Sequence, residues 1–191
     1  MLSRREQGFT LIEIIFVVFI IGMAVSVISI SVGGNALAEQ TQKEAETFML
    51  QADYVAEQSV LKGETHGLFV ELRPAQGIDA QEQWCYQWKR VRDRQWQAVP
   101  ELKAHCLAEG LVIEFILDEE LWEYDPELEY QDPVLGFFPS GDASAKVEIS
   151  IYADQLQRNG EEETQRFELD ISGDLRWMNE EERREQERRG R

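Results

Sequence analysis

At 191 residues, with 43% hydrophobic and 29% charged side chains, the chain is long and apolar enough for one domain with a real core. Its 19 Lys and Arg against 37 Asp and Glu leave a formal net charge of −18, which repels nucleic acid and anionic headgroups at long range and turns the search for partners toward proteins. With two Cys, two His and no H-E-x-x-H, C-x-x-C, G-x-S-x-G or phosphate-cradling glycine loop, the chain reads as a non-enzyme with no catalytic residue, no metal and no cofactor.

The first element is an apolar run of about nineteen residues, Ile14 to Val32, long enough to cross the roughly 30 Å hydrocarbon core of a bilayer as a helix. Arg4 and Arg5 precede it, so the positive-inside bias holds the N-terminus in the cytoplasm and sends the rest across. Glu13 stands at the start of the apolar segment, where a carboxylate costs about 2.5 to 3.5 kcal/mol at bilayer depth and less near the interface. Such a charge calls for a partner, or else for snorkelling to the headgroups.

Arg4, Arg5 and the stretch Gly8-Phe9-Thr10-Leu11-Ile12-Glu13-Ile14 resemble the class III leader of type IV pilins and type II secretion pseudopilins. The resemblance implies cleavage after Gly8 by a membrane-embedded prepilin peptidase, N-methylation of the new end at Phe9, and a role for Glu13 in aligning the incoming subunit with the filament. A free amine at Phe9 of a neighbouring subunit would neutralise that carboxylate and donate a hydrogen bond to it. Two readings compete. Ala36-Leu37-Ala38 before Glu39 is an A-x-A signal-peptidase pattern, but the apolar run exceeds the usual core of about 7 to 15 residues. An uncleaved single-span anchor explains neither Gly8 nor Glu13.

Gly33 and Gly34 are poor helix formers that can bend or unwind the axis. Beyond them Leu37, Thr41, Ala45, Phe48, Met49, Ala52, Val55, Ala56, Ser59 and Val60 form an amphipathic stripe, which predicts a helix ending near Gly63. From His66 the pattern changes to short β-branched and apolar runs. Strands are predicted at 67–73, 83–91, 95–99, 111–117, 134–138, 146–152, 166–171 and 175–178, the clearest being the alternation of Val147, Ile149 and Ile151 with Glu148 and Ser150.

Phe137-Phe138-Pro139-Ser140-Gly141-Asp142-Ala143-Ser144, followed by an alternating strand and by Phe167 to Trp177 around a Ser172-Gly173-Asp174 turn, is similar to the C-terminal part of the H-type minor pseudopilins and their pilus relatives. The resemblance implies an α+β, type IV pilin-like fold, with a long N-terminal helix packed on a mainly antiparallel β-sandwich. The expected organisation is a cleaved leader 1–8, a transmembrane and filament-core helix 9–35, a periplasmic domain 36–179 (helix 36–62, β-rich 66–179) and a charged tail 180–191.

Three stretches invite chemistry. Trp84 to Trp96 interleaves aromatics with Lys89, Arg90, Arg92 and Arg94, which reads either as a nucleic-acid platform or as a hairpin turning near Asp93; the net charge favours the hairpin. Residues 118–132 hold Asp118, Glu119, Glu120, Glu123, Asp125, Glu127, Glu129 and Asp132 without EF-hand spacing. They read first as a solvated, mobile loop and next as a docking surface, one that faces either the basic stretch or a basic partner. Cys85 and Cys106 either form a disulfide or remain two buried thiols, and a bridge would close a loop of about twenty residues. The Glu- and Arg-rich C-terminus reads as a frayed helix or disordered tail.

The resemblance implies a minor pseudopilin of bacterial type II secretion, a tip-region subunit of the periplasmic pseudopilus, held before assembly in the inner-membrane lipid by a single span. Its implied partners are other minor and major pseudopilins, the prepilin peptidase and N-methyltransferase, the inner-membrane assembly platform and, through the 118–132 loop, exported proteins. The alternatives are a type IV pilus minor pilin for DNA uptake or adhesion, and a membrane-tethered periplasmic hydrolase.

Overall fold

The computed structural model describes residues 11–75, 82–128, 130–154 and 164–189, and for residues 22–35 the backbone alone. The chain forms two compact units, Met1–Leu37 and Ala38–Arg191. Helix α1, Leu11–Lys62, begins in the first unit and ends in the second, so the Gly33-Gly34 pair does not terminate it.

In the second unit α1 turns one narrow stripe inward: Thr41, Ala45, Phe48, Ala52, Val55 and Ser59 are buried at alternating spacings of four and three. Of the other positions in the predicted stripe, Met49 and Ala56 are half-buried and Val60 is exposed, because the buried face is only one residue wide. Five of the six buried side chains are small or short. They let the helix lie close to its neighbours while Phe48 alone reaches outward.

The neighbours are two antiparallel sheets. Sheet A comprises β1 (His66–Pro74), β2 (Glu82–Arg92), β3 (Gln95–Ala98) and β7 (Leu135–Phe137) in the order β3-β2-β1-β7, with β4 (His105–Cys106) pairing on β2. Sheet B comprises β5 (Leu111–Leu117), β6 (Glu120–Leu121), β8 (Val147–Ala153), β9 (Gln165–Leu169) and β10 (Leu175–Trp177) in the order β10-β9-β8-β5-β6. The alternation along β8 appears as burial: Val147, Ile149, Ile151 and Ala153 are buried and the residues between them are not. The Phe48 ring lies 5.6 Å from Tyr86 and 6.5 Å from Trp88 of sheet A, and 5.5 Å from Phe167 of sheet B. One side chain thus joins the helix to both sheets.

All eight predicted strands are present, with no end shifted by more than two residues. The two-residue strands β4 and β6 carry no periodicity of their own and are set by pairing, Cys85 opposite Cys106 and Leu117 opposite Glu120. The turn near Asp93 is a two-residue hairpin in which Asp93 and Arg94 both take positive φ, and Asp118-Glu119 repeats the device between β5 and β6. Such turns match the twist of the strands they join, and Asp tolerates the left-handed region better than most residues.

The acidic segment is less free than its composition predicts. The Trp122 N–H donates to the Phe115 carbonyl and its ring packs edge-on to Phe115 at 5.9 Å, while Tyr124 packs edge-on to Trp84 at 6.2 Å. The basic residues of β2 pair elsewhere: Arg90 and Arg92 reach Glu64 at 3.3 and 3.5 Å, and Lys89 lies 4.1 Å above the Phe69 ring. The C-terminal residues form helix α2, Met178–Arg189, which buries no side chain. It is tied to β9 through Asn179, whose Oδ1 accepts the Arg166 N–H at 2.8 Å, and through the Arg166–Glu182 pair at 3.0 Å.

The corner between α1 and β1 is made of buried polar groups. Gly63, at φ 65°, takes the left-handed position that ends the helix. Ser59 Oγ donates to the Val55 carbonyl at 2.9 Å and lies 2.9 Å from His66 Nδ1, which is also 3.2 Å from the Glu64 carbonyl. Both of those carbonyls can only accept, so Nδ1 carries a proton and donates it into the corner. Burial pushes the His66 pKa below its ordinary value of 6.5.

Replacing Phe48 with Ala is expected to cost about 3 to 5 kcal/mol in urea or thermal unfolding, because the cavity would lie between three elements at once. The corner histidine adds a pH dependence. Below pH 6.5 the unfolded chain binds a proton that folded His66 resists, so stability falls on acidification between 6.5 and the lowered folded value and is flat above. Urea midpoints at pH 5 and 7.5 should differ more for the parent than for His66→Asn, whose side-chain amide keeps a donor near the Nδ1 position.

Candidate functional site

The N-terminal unit presents the first candidate site. Gly8 and Phe9 lie outside the described residues. Glu13 stands in the first described turn of α1 and is exposed. Leu11, Ile12 and every residue from Ile14 to Ile21 are apolar and at least half exposed, between 50 and 77%. A helix that is apolar on all faces calls for a lipid or protein environment around it. Among the described residues no helix is long and apolar enough to cross a membrane, and the side chains of residues 22–35, in the later part of the run, are outside them.

The second unit places the remaining candidates. Cys85 and Cys106 are joined by a disulfide across β2 and β4, and Cys85 is fully buried. Beside them Glu44 of α1 approaches His105 Nε2 at 2.6 Å through one carboxylate oxygen and accepts the Ala108 N–H at 3.2 Å through the other. The His105 ring in turn lies 5.2 Å from Tyr86. Burial raises the Tyr86 pKa, with a further contribution from the Glu44 charge, so the phenol stays neutral. The disulfide and the Glu44 carboxylate therefore hold the short β4 strand from two sides, one to the sheet and one to the helix. Glu44 is not among the residues of the predicted amphipathic stripe. No local signal joins two residues 61 positions apart.

Ser59 and His66 are within hydrogen-bonding reach, the separation at which a serine nucleophile meets its base. Ser59 is 0% and His66 2% exposed, so no substrate carbonyl reaches the hydroxyl, and the pair serves the helix–strand corner. Among the described residues no group of three or more His, Cys, Asp or Glu comes together to hold a metal ion.

The disulfide makes a measurable contribution. Exchanging both cysteines for Ala should lower unfolding stability by about 3 kcal/mol, the loop-closure entropy of a loop of this length. Adding reductant should destabilise the parent and leave the double variant unchanged.

Comparison with known proteins bears on both units. The model of the prokaryotic N-terminal methylation motif matches residues 3–29. The type II secretion system protein H of Aeromonas hydrophila is 29% identical over 99 residues, which are 52% of this chain and 49% of that relative, so the match spans about half the length of each. Two solved structures of EpsH, the minor pseudopilin of the Vibrio cholerae type 2 secretion system, superpose with TM-scores of 0.52 and 0.56. Their identities are 19 and 18%, over 72 and 74% of this chain and 95 and 94% of theirs. The chain therefore joins a prokaryotic N-terminal methylation motif to a domain with the α+β fold of the H-type minor pseudopilins.

Proposed function

We propose that the chain is a minor pseudopilin of a type II secretion system, a structural, non-catalytic subunit of the pseudopilus that helps move folded proteins out of the periplasm. The observation that carries this reading is the combination in one chain of a methylation motif at residues 3–29 and an H-type pseudopilin fold behind it. In this reading the precursor sits in the inner membrane with its N-terminus in the cytoplasm and its domain in the periplasm. The peptidase cuts after Gly8 and methylates Phe9. The assembly platform then draws the subunit into a filament beside other minor and major pseudopilins, with the acidic 118–132 segment open to exported proteins.

The physical logic rests on one helix used in two solvents. Its apolar faces are at home in lipid and equally at home against other apolar helices. Glu13 is costly in both, and a neighbouring subunit's amine at Phe9 offsets that cost only when the two helices are in register. A correctly placed subunit is thereby favoured over a displaced one. The net charge of −18 supports this reading over a DNA-uptake pilin, since a duplex would be repelled.

Intact-mass analysis of the chain expressed with a prepilin peptidase should show an N-terminus at methylated Phe9. An end at Met1 or Glu39 would reject the processing step. Glu13→Leu should leave processing and domain stability unchanged and lower recovery in sheared pseudopilus fractions at least about tenfold, the loss of one ionic contact of about 1.4 kcal/mol or more. Undiminished incorporation would remove Glu13 from assembly.

A further inference from the structure

Strand β3 is an outermost strand of sheet A, since it pairs with β2 and with no other strand. Its register fixes which backbone groups stay open. Arg92 faces Gln95 across a two-residue turn and the Val99 N–H donates to the Trp88 carbonyl at 3.1 Å, so by alternation Gln95 and Gln97 turn their N–H and C=O groups toward β2. Trp96 and Ala98 turn theirs outward. Both residues are exposed, and neither backbone finds a partner among the described residues.

The Trp96 side chain leaves that edge clear. Its ring lies back across the sheet, where a Cβ at Gly67 of β1 would come within 2.9 Å of it, and Phe69 meets it edge-on at 5.2 Å. On the same face lies an open cleft of about 550 Å³, lined by Gln95 and Trp96 at the edge and by Phe69, Gln87 and Lys89 further in. Glu71 in its lining pairs with Arg73, whereas the Lys89 ammonium rests on the neutral Phe69 ring and keeps an uncompensated charge. Two more cations flank the strand, Arg94 in the turn before it and Lys103 in the loop after it, both exposed and in no ion pair among the described residues. From 89 to 103 the chain carries five Lys and Arg against two Asp and Glu, although its net charge is −18.

We propose that the β3 edge binds an acidic, extended segment of another protein as an added strand. Main-chain bonds to Trp96 and Ala98 set its register, alternate side chains enter the cleft, and its carboxylates meet the charges of Lys89, Arg94 and Lys103. The remote carboxylates of the chain are screened beyond about 8 Å at physiological salt, so the local cations decide the sign of the partner. A second copy of the chain is the weaker fit, because β3 laid against β3 brings two sets of cations together. A nucleic acid has phosphates for those cations, but no N–H and C=O groups repeating every second residue to match the open ones.

The test is amide NMR and hydrogen exchange of the isotopically labelled full chain in detergent micelles. The probes are a capped peptide of about nine residues alternating glutamate with threonine, its counterpart with lysine for glutamate, and an oligothymidylate. Saturable shifts are expected with the acidic peptide, at a dissociation constant below about 1 mM. At about ten times that constant, exchange of the Trp96 and Ala98 amides should slow about tenfold, while that of Gln97, already bonded within the hairpin, stays unchanged. Ala98→Pro removes one outward N–H that the sheet does not use, a change that edge strands tolerate, and should weaken binding about tenfold at an unchanged urea midpoint. Arg94→Glu, at the exposed hairpin tip, should weaken it at least about threefold and tests the charge even where the proline disturbs the strand. No saturable shift up to about 10 mM would overturn the proposal, as would binding that leaves both amides unprotected or an affinity unmoved by either variant. Equal or tighter binding of the lysine peptide or of the oligothymidylate would overturn it too. So would protection of both amides on concentrating the chain alone, which would mark a second copy as the occupant. The readout does not depend on processing or filament entry.

Discussion

The domain depends on one insertion, the Phe48 ring set between Tyr86 and Trp88 of one sheet and Phe167 of the other. Two sheets and a helix have to share a core, and a helix stripe one residue wide can touch both only if a single large side chain projects from a row of small ones. Thr41, Ala45, Ala52 and Ser59 supply the close approach, and Phe48 supplies the reach. Full burial of a ring of this size is worth about 1.5 to 3 kcal/mol in transfer alone, before its aromatic contacts are added.

That core admits polar atoms at a cost. Among the described residues the Tyr86 hydroxyl, the Trp88 N–H and the Arg90 Nε are buried without a hydrogen-bond partner. Leaving such a group unpaired costs about 1 to 3 kcal/mol, a debit that the large apolar bodies of Tyr86 and Trp88 offset by area. The Glu64 carboxylate between Arg90 and Arg92 works differently. Its side chain is only 17% exposed and that of Arg90 12%, so the pair adds little net stability, yet removing one partner would leave a charge stranded. Its effect is to fix where β2 lies against the corner that ends α1.

The two units put opposite chemistry into one chain. Residues 11–21 are apolar around the whole helix apart from Glu13, whereas the domain shows a surface crowded with carboxylates. A polymer subunit with a greasy spine and an acidic head meets both requirements, since the spine seeks its own kind and the heads resist indiscriminate sticking.

Contiguous features were readable from residue order. Residues 3–29 match the prokaryotic N-terminal methylation motif, which is legible because it lies in one contiguous segment. The alternation of Val147, Ile149 and Ile151 marks a one-sided strand because side chains point to opposite faces by geometry alone. The hairpin near Asp93 was also expected from residue order, and the structure forms it with Asp93 and Arg94 both at positive φ. Tertiary structure decided what distant residues do to each other. It brought Glu44 to His105, joined Cys85 to Cys106, closed Ser59 and His66 into a sealed corner, pinned Trp122 and Tyr124 against the sheets, and set Trp96 over Gly67. Periodicity records which way a side chain points, while the partner it meets depends on how the two sheets and the helix close around Phe48.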